Sequence, residues 1–436
     1  MKFRNFGRVA LALAATLALT FGAESCNYNY TEAYIFITGS QYNQVGAYRE
    51  SNNDGQLRPE GVISSGGNDP VRAVLLNGGR YLYVLNEGKP TTDASGNITW
   101  SGANISLFSV GGRGNLSYQY SYYSQGEGSF RIATSIDGSY LYVLDEYQPG
   151  PTPNVTPGSP TQSAAYPCWD STDHVYRPEG DITVFKVDPS TGRLFLLQNL
   201  QQQNAQGTPL TYFPLGCGPI DFKLDSNYLY TGESYDPATN QHQVVYAYAA
   251  SATNGQLTQV PGGSQPIGTT SMSYLGVSAN GLWLYVLDNG SNEIYTFSPG
   301  ANGLLSAATG GAVANNATTA GMDAMTTDSQ TKYLYVANTQ SPGLNQSTSA
   351  LSIFNVTPGT GQLTPSTPPT YGVGSTPVCV FEDPSHQYMY TADAGSSTVT
   401  GAAYDPLTGN LRNLTKGSTW NVVGTPTWCL YSSNTY

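Results

Sequence analysis

Charge is scarce in this 436-residue chain: Asp, Glu, Lys and Arg make up 11% of it, and there are only three histidines. Acids outnumber bases, 29 to 17, for a formal charge of -12. Such a chain offers no basic face to nucleic acid or to an anionic membrane surface, so neither is an expected partner. The apolar run at 9–21 is short of the roughly 20 residues a helix needs to cross a bilayer. Nothing reads as a long amphipathic helix. There is no Gly-x-Ser-x-Gly elbow, no His-Glu-x-x-His, no Cys-x-x-Cys and no phosphate-binding glycine loop, which removes the chemistries those motifs carry. No set of metal-ligating carboxylates stands out, and neither metal nor cofactor is expected.

Lys2, Arg4 and Arg8 ahead of the apolar run, then Gly22-Ala23-Glu24-Ser25, have the pattern of a secretory leader over residues 1–25. Removing it takes away three cations and one anion and leaves the mature chain at -14. Cys26 follows Ala23-Glu24-Ser25, a stretch similar to a lipoprotein box in which Glu24 is the misfit, so lipidation of Cys26 and ordinary cleavage both stay open. The expected location is the periplasm, the outer membrane as an attached lipoprotein, or the exterior. Four cysteines remain: Cys168, Cys217, Cys379 and Cys429. In an oxidising compartment they allow three pairings, of which Cys168 with Cys217 is preferred because both fall near one large loop; free buried thiols are the alternative.

What the chain has is glycine, 49 residues, and tyrosine, 33, and both recur in phase. A Tyr-Leu-Tyr-Val core begins at 81, 140, 228, 283, 333 and 388, with "YIFITGS" from 34 as a seventh copy. Turn signals such as Asn77-Gly78, Asp137-Gly138 and Asn280-Gly281 precede most copies. A second signature follows each copy, a β-rich run and polar turn closing in Gly-x-Leu, at Leu57, Leu116, Leu194, Leu257, Leu305, Leu363 and Leu411. Each unit therefore holds four strands. Seven such units predict an all-β fold, a seven-bladed β-propeller of four-stranded antiparallel blades, over residues 33–436 after a short linker at 26–32. The first copy lacks a preceding Pro-x-x strand of the kind at Pro70, Pro219 and Pro377, while "GTPTWCLY" at 424–431 is an orphan strand. The tail is thus expected to pair with the N-terminal strands and close the ring, leaving no open sheet edge.

The links between second and third strands are uneven, about 14 residues after Gly88 and above 30 after Tyr147. The Pro-rich insertion at 148–181 is expected to be a rim loop or lid. On the same face, inner strands begin near Arg72, Arg131, Asp221, Tyr274, Asp323, Cys379 and Trp428, and second strands end near Asn86-Glu87, Asp145-Glu146, Glu233, Asp288, Asn338 and Asp393. Arg131, Glu146, Glu87 and His174 are the catalytic candidates: arginine for a developing oxyanion, a carboxylate or imidazole to activate water. Arg72, Asp221, Tyr274 and Trp428 are the substrate-binding candidates. The competing reading is that these residues are structural salt bridges and strand-end caps. His386 falls in a turn on the opposite face, and His242 opens a third strand near the mouth.

The pattern of inner strand, Asp/Asn-Gly turn, "YLYVLNE", "ISLF" and "TGRL" resembles the seven-bladed lactonase family, the 6-phosphogluconolactonase and carboxymuconate-cyclising propellers. The resemblance implies lactone hydrolysis or formation at a channel mouth, without metal, by His, Arg and Glu. Family inner strands often read Gly-x-Gly-Pro-Arg-His; here "GCGPID" at 216–221 has Ile220 and Asp221 in the last two places, and "SFRIA" at 129–133 keeps only Arg131. Asn86-Glu87 and Asp145-Glu146 match the family's strand-end acid. Two functions stay open: a monomeric hydrolase of a sugar or related lactone, or a silent extracytoplasmic scaffold holding a glycan, a peptide or another envelope protein.

Overall fold

The computed structural model describes residues 30–433 except 77, 93–97, 150–167, 171, 269–270, 317–319, 341–348 and 423. The leader, Cys26 and most of the 148–181 insertion lie outside the described residues. Among the described residues there is no helix, and every named strand pairing is antiparallel. None of them forms a helix able to cross a membrane.

Seven strands carry the functional positions: β1 (Pro70–Leu75), β2 (Glu127–Thr134), β3 (Phe213–Asp225), β4 (Met272–Val277), β5 (Ala320–Thr327), β6 (Pro377–Glu382) and β7 (Pro426–Ser433). Each of β1 to β6 pairs with the Tyr-Leu-Tyr strand after it. β7 instead pairs with Thr31–Gly39 at the other end of the chain, Cys429 opposite Ile37 and Ser432 opposite Tyr34, as the orphan strand predicts. Neighbours in this series touch side by side, and β7 touches β1. Two disulfides join the described cysteines. Cys168–Cys217, the expected pair, spans 5.5 Å between Cα atoms, and Cys379–Cys429 ties β6 to β7 with a spacing of 5.9 Å.

The two sequence signatures meet in space. The Gly-x-Leu glycines 55, 114, 192, 255, 303, 361 and 409 all have φ of 62–80°, the left-handed region in which a side chain is strained. Each lies flat against the first aromatic ring of a Tyr-Leu-Tyr core in another unit: Gly114 on Tyr34, Gly192 on Tyr81, Gly255 on Tyr140, Gly303 on Tyr228, Gly361 on Trp283, Gly409 on Tyr333 and Gly55 on Tyr388. A methyl group on any of them would come within 2.8 Å of ring atoms. Two residues further on, in four of the cores, a fully buried tyrosine donates its hydroxyl to the same turn: Tyr83 to the Gly192 carbonyl at 2.7 Å, Tyr230 to Gly303 at 3.1 Å, Tyr335 to Gly409 at 2.7 Å and Tyr390 to Gly55 at 2.8 Å. A buried phenol is thereby satisfied while its ring packs.

One difference from the expected separate blades involves the third and fourth units. They share a single sheet, because Glu179–Val187 pairs with the first half of β3, Ile182 opposite Phe213 and Glu179 opposite Cys217. The outer strand of the third unit, Leu194–Leu196, is only three residues long. The edge it leaves uncovered is taken by the start of the 13-residue β3.

Strand parity decides which acids can reach the mouth. Asn86, Asp145, Glu233, Asp288, Asn338 and Asp393 are all fully buried. They brace the sheets: Asp288 accepts from the backbone N–H groups of Ser271 and Gly290, and Asp393 from the hydroxyls of Thr391 and Thr400. The following residues, Glu87 and Glu146, point the other way, as side chains one apart on a strand must. For these six positions the strand-end cap reading holds. Asp145 sits opposite Asp181 across the sheet, and both are fully buried. Burial, then the charge of Asp145, raises Asp181 well above the carboxylate range. A carboxyl raised in the folded state contributes stability below its unfolded pKa, and that contribution is lost as pH rises through the folded value. Asp181→Asn is therefore expected to flatten the decline of melting temperature between mildly acidic and alkaline pH, giving a variant more stable than the parent at the alkaline end; thermal unfolding across that range measures it.

Candidate functional site

In all seven of these strands the pairing register slips by one residue at the same height, at Val71, Phe130, Ile220, Ser273, Asp323, Val378 and Thr427. A bulge re-aims the side chain after it. Here it delivers Arg72, Arg131, Asp221, Tyr274 and Trp428 to one level of a common cavity. The register also corrects the sequence alignment in the sixth unit: the equivalent of Arg131 is Ala324, and Asp323 is the bulged residue itself. The cavity, about 440 Å³, takes lining residues from every one of the seven strands, among them Arg72, Arg131, Lys223, Tyr274, Met325, Phe381 and Trp428.

Asp221 is the hub of this level. Fully buried, it receives the Arg131 Nε at 3.0 Å, the Lys223 Nζ at 3.2 Å and the Leu275 N–H at 2.9 Å. Burial by itself favours the neutral acid, but Lys223, Arg131, the Leu275 N–H and Arg72 together hold the carboxyl below its usual range. Lys223 also lies 4.3 Å from the centre of the Tyr274 ring. Among the described residues Arg72 has no carboxylate within ion-pair distance: it donates to the Val71 and Thr427 carbonyls and lies over Trp428 at 4.2 Å. Burial, and then the charge of Arg131, bring its pKa down to about 10.

The acids of the mouth stand beside Arg131. Glu87 is half-buried and raised to about 7, by burial first, then by Asp69 and Glu146, with Arg131 opposing. Burial also raises Glu146, against a hydrogen bond with Tyr147, and raises Glu127, which accepts the Trp100 N–H at 3.4 Å. The insertion after Gly88 folds as a hairpin, Lys89–Thr92 with Ile98–Ser101, and sets Trp100 against Tyr147, ring centres 5.3 Å apart. A methyl group on Gly128 would meet both Trp100, at 3.1 Å, and Glu146. This wall of Trp100, Glu127 and Tyr147, like Lys223, was missed in the sequence. Lys223 lies two residues beyond Asp221 and hence on the same strand face, which is the signal that could have found it.

His174 does not join this group. It is exposed, in the turn between the short strands Trp169–Asp170 and Val175–Tyr176, with φ of 55°. The same turn holds Asp170 and Asp173, and across it stands His242; ligand atoms of these three lie within 4.8 Å of one another. The guanidinium of Arg177 fills the space between the carboxylates, 3.1 Å from Asp170 and 2.6 Å from Asp173. The group is an ion-pair anchor. Together with the neighbouring disulfide it holds the end of the insertion on the sheet, so the described part of that segment is fixed. His386, exposed, pairs with Glu382 at 3.2 Å away from the mouth.

No family model matches the chain, and neither does any curated protein. Solved structures do. A periplasmic gluconolactonase of Pseudomonas aeruginosa superimposes with a TM-score of 0.65 at 17% identity, covering 92% of this chain and 99% of the other. A Bacteroides fragilis protein provisionally assigned as a 6-phosphogluconolactonase gives 0.65 at 16%, over 92% and 98%. A Bacteroides uniformis counterpart, with the same provisional assignment, gives 0.65 at 16%, over 92% and 100%. Identity this low speaks to fold alone, and at that level the expected resemblance is borne out: the chain has the fold of the gluconolactonase-like propellers.

Proposed function

We propose that the chain is an exported hydrolase of a lactone, acting at the mouth beside Arg131. In this reading residues 33–436 form one domain, a ring of seven blades closed where β7 completes the first. Ring closure is supported by the side-by-side series from β1 to β7 and back, and by the ring-on-glycine contacts that run from the first unit to the last and return at Gly55. Export is supported by the leader pattern, by two disulfides and by likeness to a periplasmic protein.

The observation that carries the activity is a half-buried carboxyl, Glu87, poised at about 7 with the charges of Glu146 and Arg131 acting on it. A base with its pKa near the working pH is well matched to deprotonating water. Glu87 takes a proton as water attacks the lactone carbonyl, and Arg131 faces the tetrahedral oxyanion. The ring C–O bond then breaks, and Glu146, whose hold on a proton burial strengthens, gives the leaving oxygen its proton. One water is consumed, and a hydroxy acid is released. Two carboxyls thus do the work that the family gives to histidine, whose place holds Asp221 here, as Ile220 holds that of the family's arginine.

The same substitution favours the second reading, a silent scaffold. Lactone hydrolysis by residues 27–436, over sugar and aliphatic lactones with EDTA and calcium arms, separates the two. The proposal expects turnover indifferent to EDTA that rises with pH through about 7. Loss should be about 100-fold in Glu87→Gln and about 100- to 1000-fold in Arg131→Gln. No turnover across the panel would leave the scaffold, and full turnover in Glu87→Gln would remove Glu87 as the base.

A further inference from the structure

The cavity does not point toward Glu87 and Glu146. β1 runs away from that mouth, and the lining continues from Arg72 through Val74 to Leu75, and on β2 from Arg131 to Thr134. The arginines therefore cap a chamber whose body lies on their far side. Its walls there are Val74, Ile132, Phe222, Met325, Phe381 and Leu430. Beyond the capping level the only side-chain hydroxyls among the lining residues are those of Thr134 and Tyr431, too few to replace the water around a sugar.

The cap carries an unbalanced charge. Arg72, Arg131 and Lys223 face two acids, Asp221 and Asp323, both close enough for their charges to act on Arg72. Arg131 and Lys223 are spoken for by Asp221. Among the described residues Arg72 has backbone carbonyls and the Trp428 face for partners. A part-buried guanidinium with no ion-pair partner among the described residues has donors to spare, and one anion would take them. A guanidinium takes a carboxylate in two parallel hydrogen bonds.

We propose that this chamber is a binding site for an amphipathic monoanion, a medium-chain or aryl carboxylate, its carboxylate on Arg72 and its apolar body along the β1–β2 and β6–β7 walls. The inference goes beyond lactone hydrolysis and does not need it, since binding is read without turnover; failure of the lactone panel leaves it standing. Isothermal titration of the mature protein with octanoate and with 3-phenylpropanoate, against octanol and gluconate, tests it. Saturable binding of one octanoate or phenylpropanoate per chain is expected, with octanol and gluconate at least tenfold weaker. Arg72→Gln should weaken octanoate at least tenfold. Ala133→Phe, which fills the chamber and leaves the cap untouched, decides the matter by the same loss if Arg72→Gln does not fold. No saturable binding of either acid, octanol binding as tightly as octanoate, or undiminished binding in the folded variant would overturn the proposal.

Discussion

The structure depends on a ring laid flat on a bare backbone. In each of seven places an aromatic side chain covers a glycine whose φ excludes other residues and whose missing side chain is the space the ring occupies. Burying such a ring is worth roughly 1.5–3 kcal/mol, and the neighbouring tyrosine adds a hydrogen bond to the same turn in at least three of these places. The contact joins units and not strands within a unit, so no sheet can keep its packing if its neighbour is lost. A chain with so little charge has few ion pairs to serve that purpose.

On that frame the site is made by two regular features, parity and the bulge. Parity hides one residue of each strand-end pair in the sheet and leaves the next one at the mouth. Fully buried acids such as Asp145 and its cross-strand neighbour Asp181 are the cost of that bracing, and burial together with the charge of Asp145 shifts Asp181 toward its neutral form. The bulges gather three cations at one level of the channel, a position single strands could not reach with ordinary pleating. Asp221 then holds Arg131 and Lys223 in place, which leaves Arg72 as the cation with spare capacity.

The repeat was legible because its two signatures are the two halves of one contact, and a glycine and an aromatic in phase leave few packing solutions. The C-terminal strand could be placed because the first unit visibly lacked one. Most of the channel cluster followed from aligning the units: Arg72, Arg131, Asp221, Tyr274 and Trp428 follow equivalent bulges, and the charges of Glu146 and Arg131 both reach Glu87. The alignment did not show that Asp323, ten residues ahead of Tyr333 where Arg131 is nine ahead of Tyr140, falls on the bulge that all seven strands share and so out of step with Arg131. Nor could it show Trp100, which reaches the mouth only because a polar insertion folds back as a hairpin. His174 looked important for being rare, yet the turn that holds it belongs to the Asp170–Asp173–Arg177 anchor, whose remaining member, His242, lies too far along the chain to suggest the group.

The most direct test of this account compares two glycines with the same backbone conformation. Gly55, φ 62°, lies under the Tyr388 ring, whereas Gly262, φ 71°, has open space where a methyl group would go. Alanine at either pays the same backbone strain, but only at position 55 must it also displace the ring that joins the last unit to the first. Calorimetric unfolding should show Gly55→Ala less stable than Gly262→Ala by about 1–3 kcal/mol, still in a single transition. Equal losses in the two variants would contradict the claim that the ring-on-glycine contacts hold the units together.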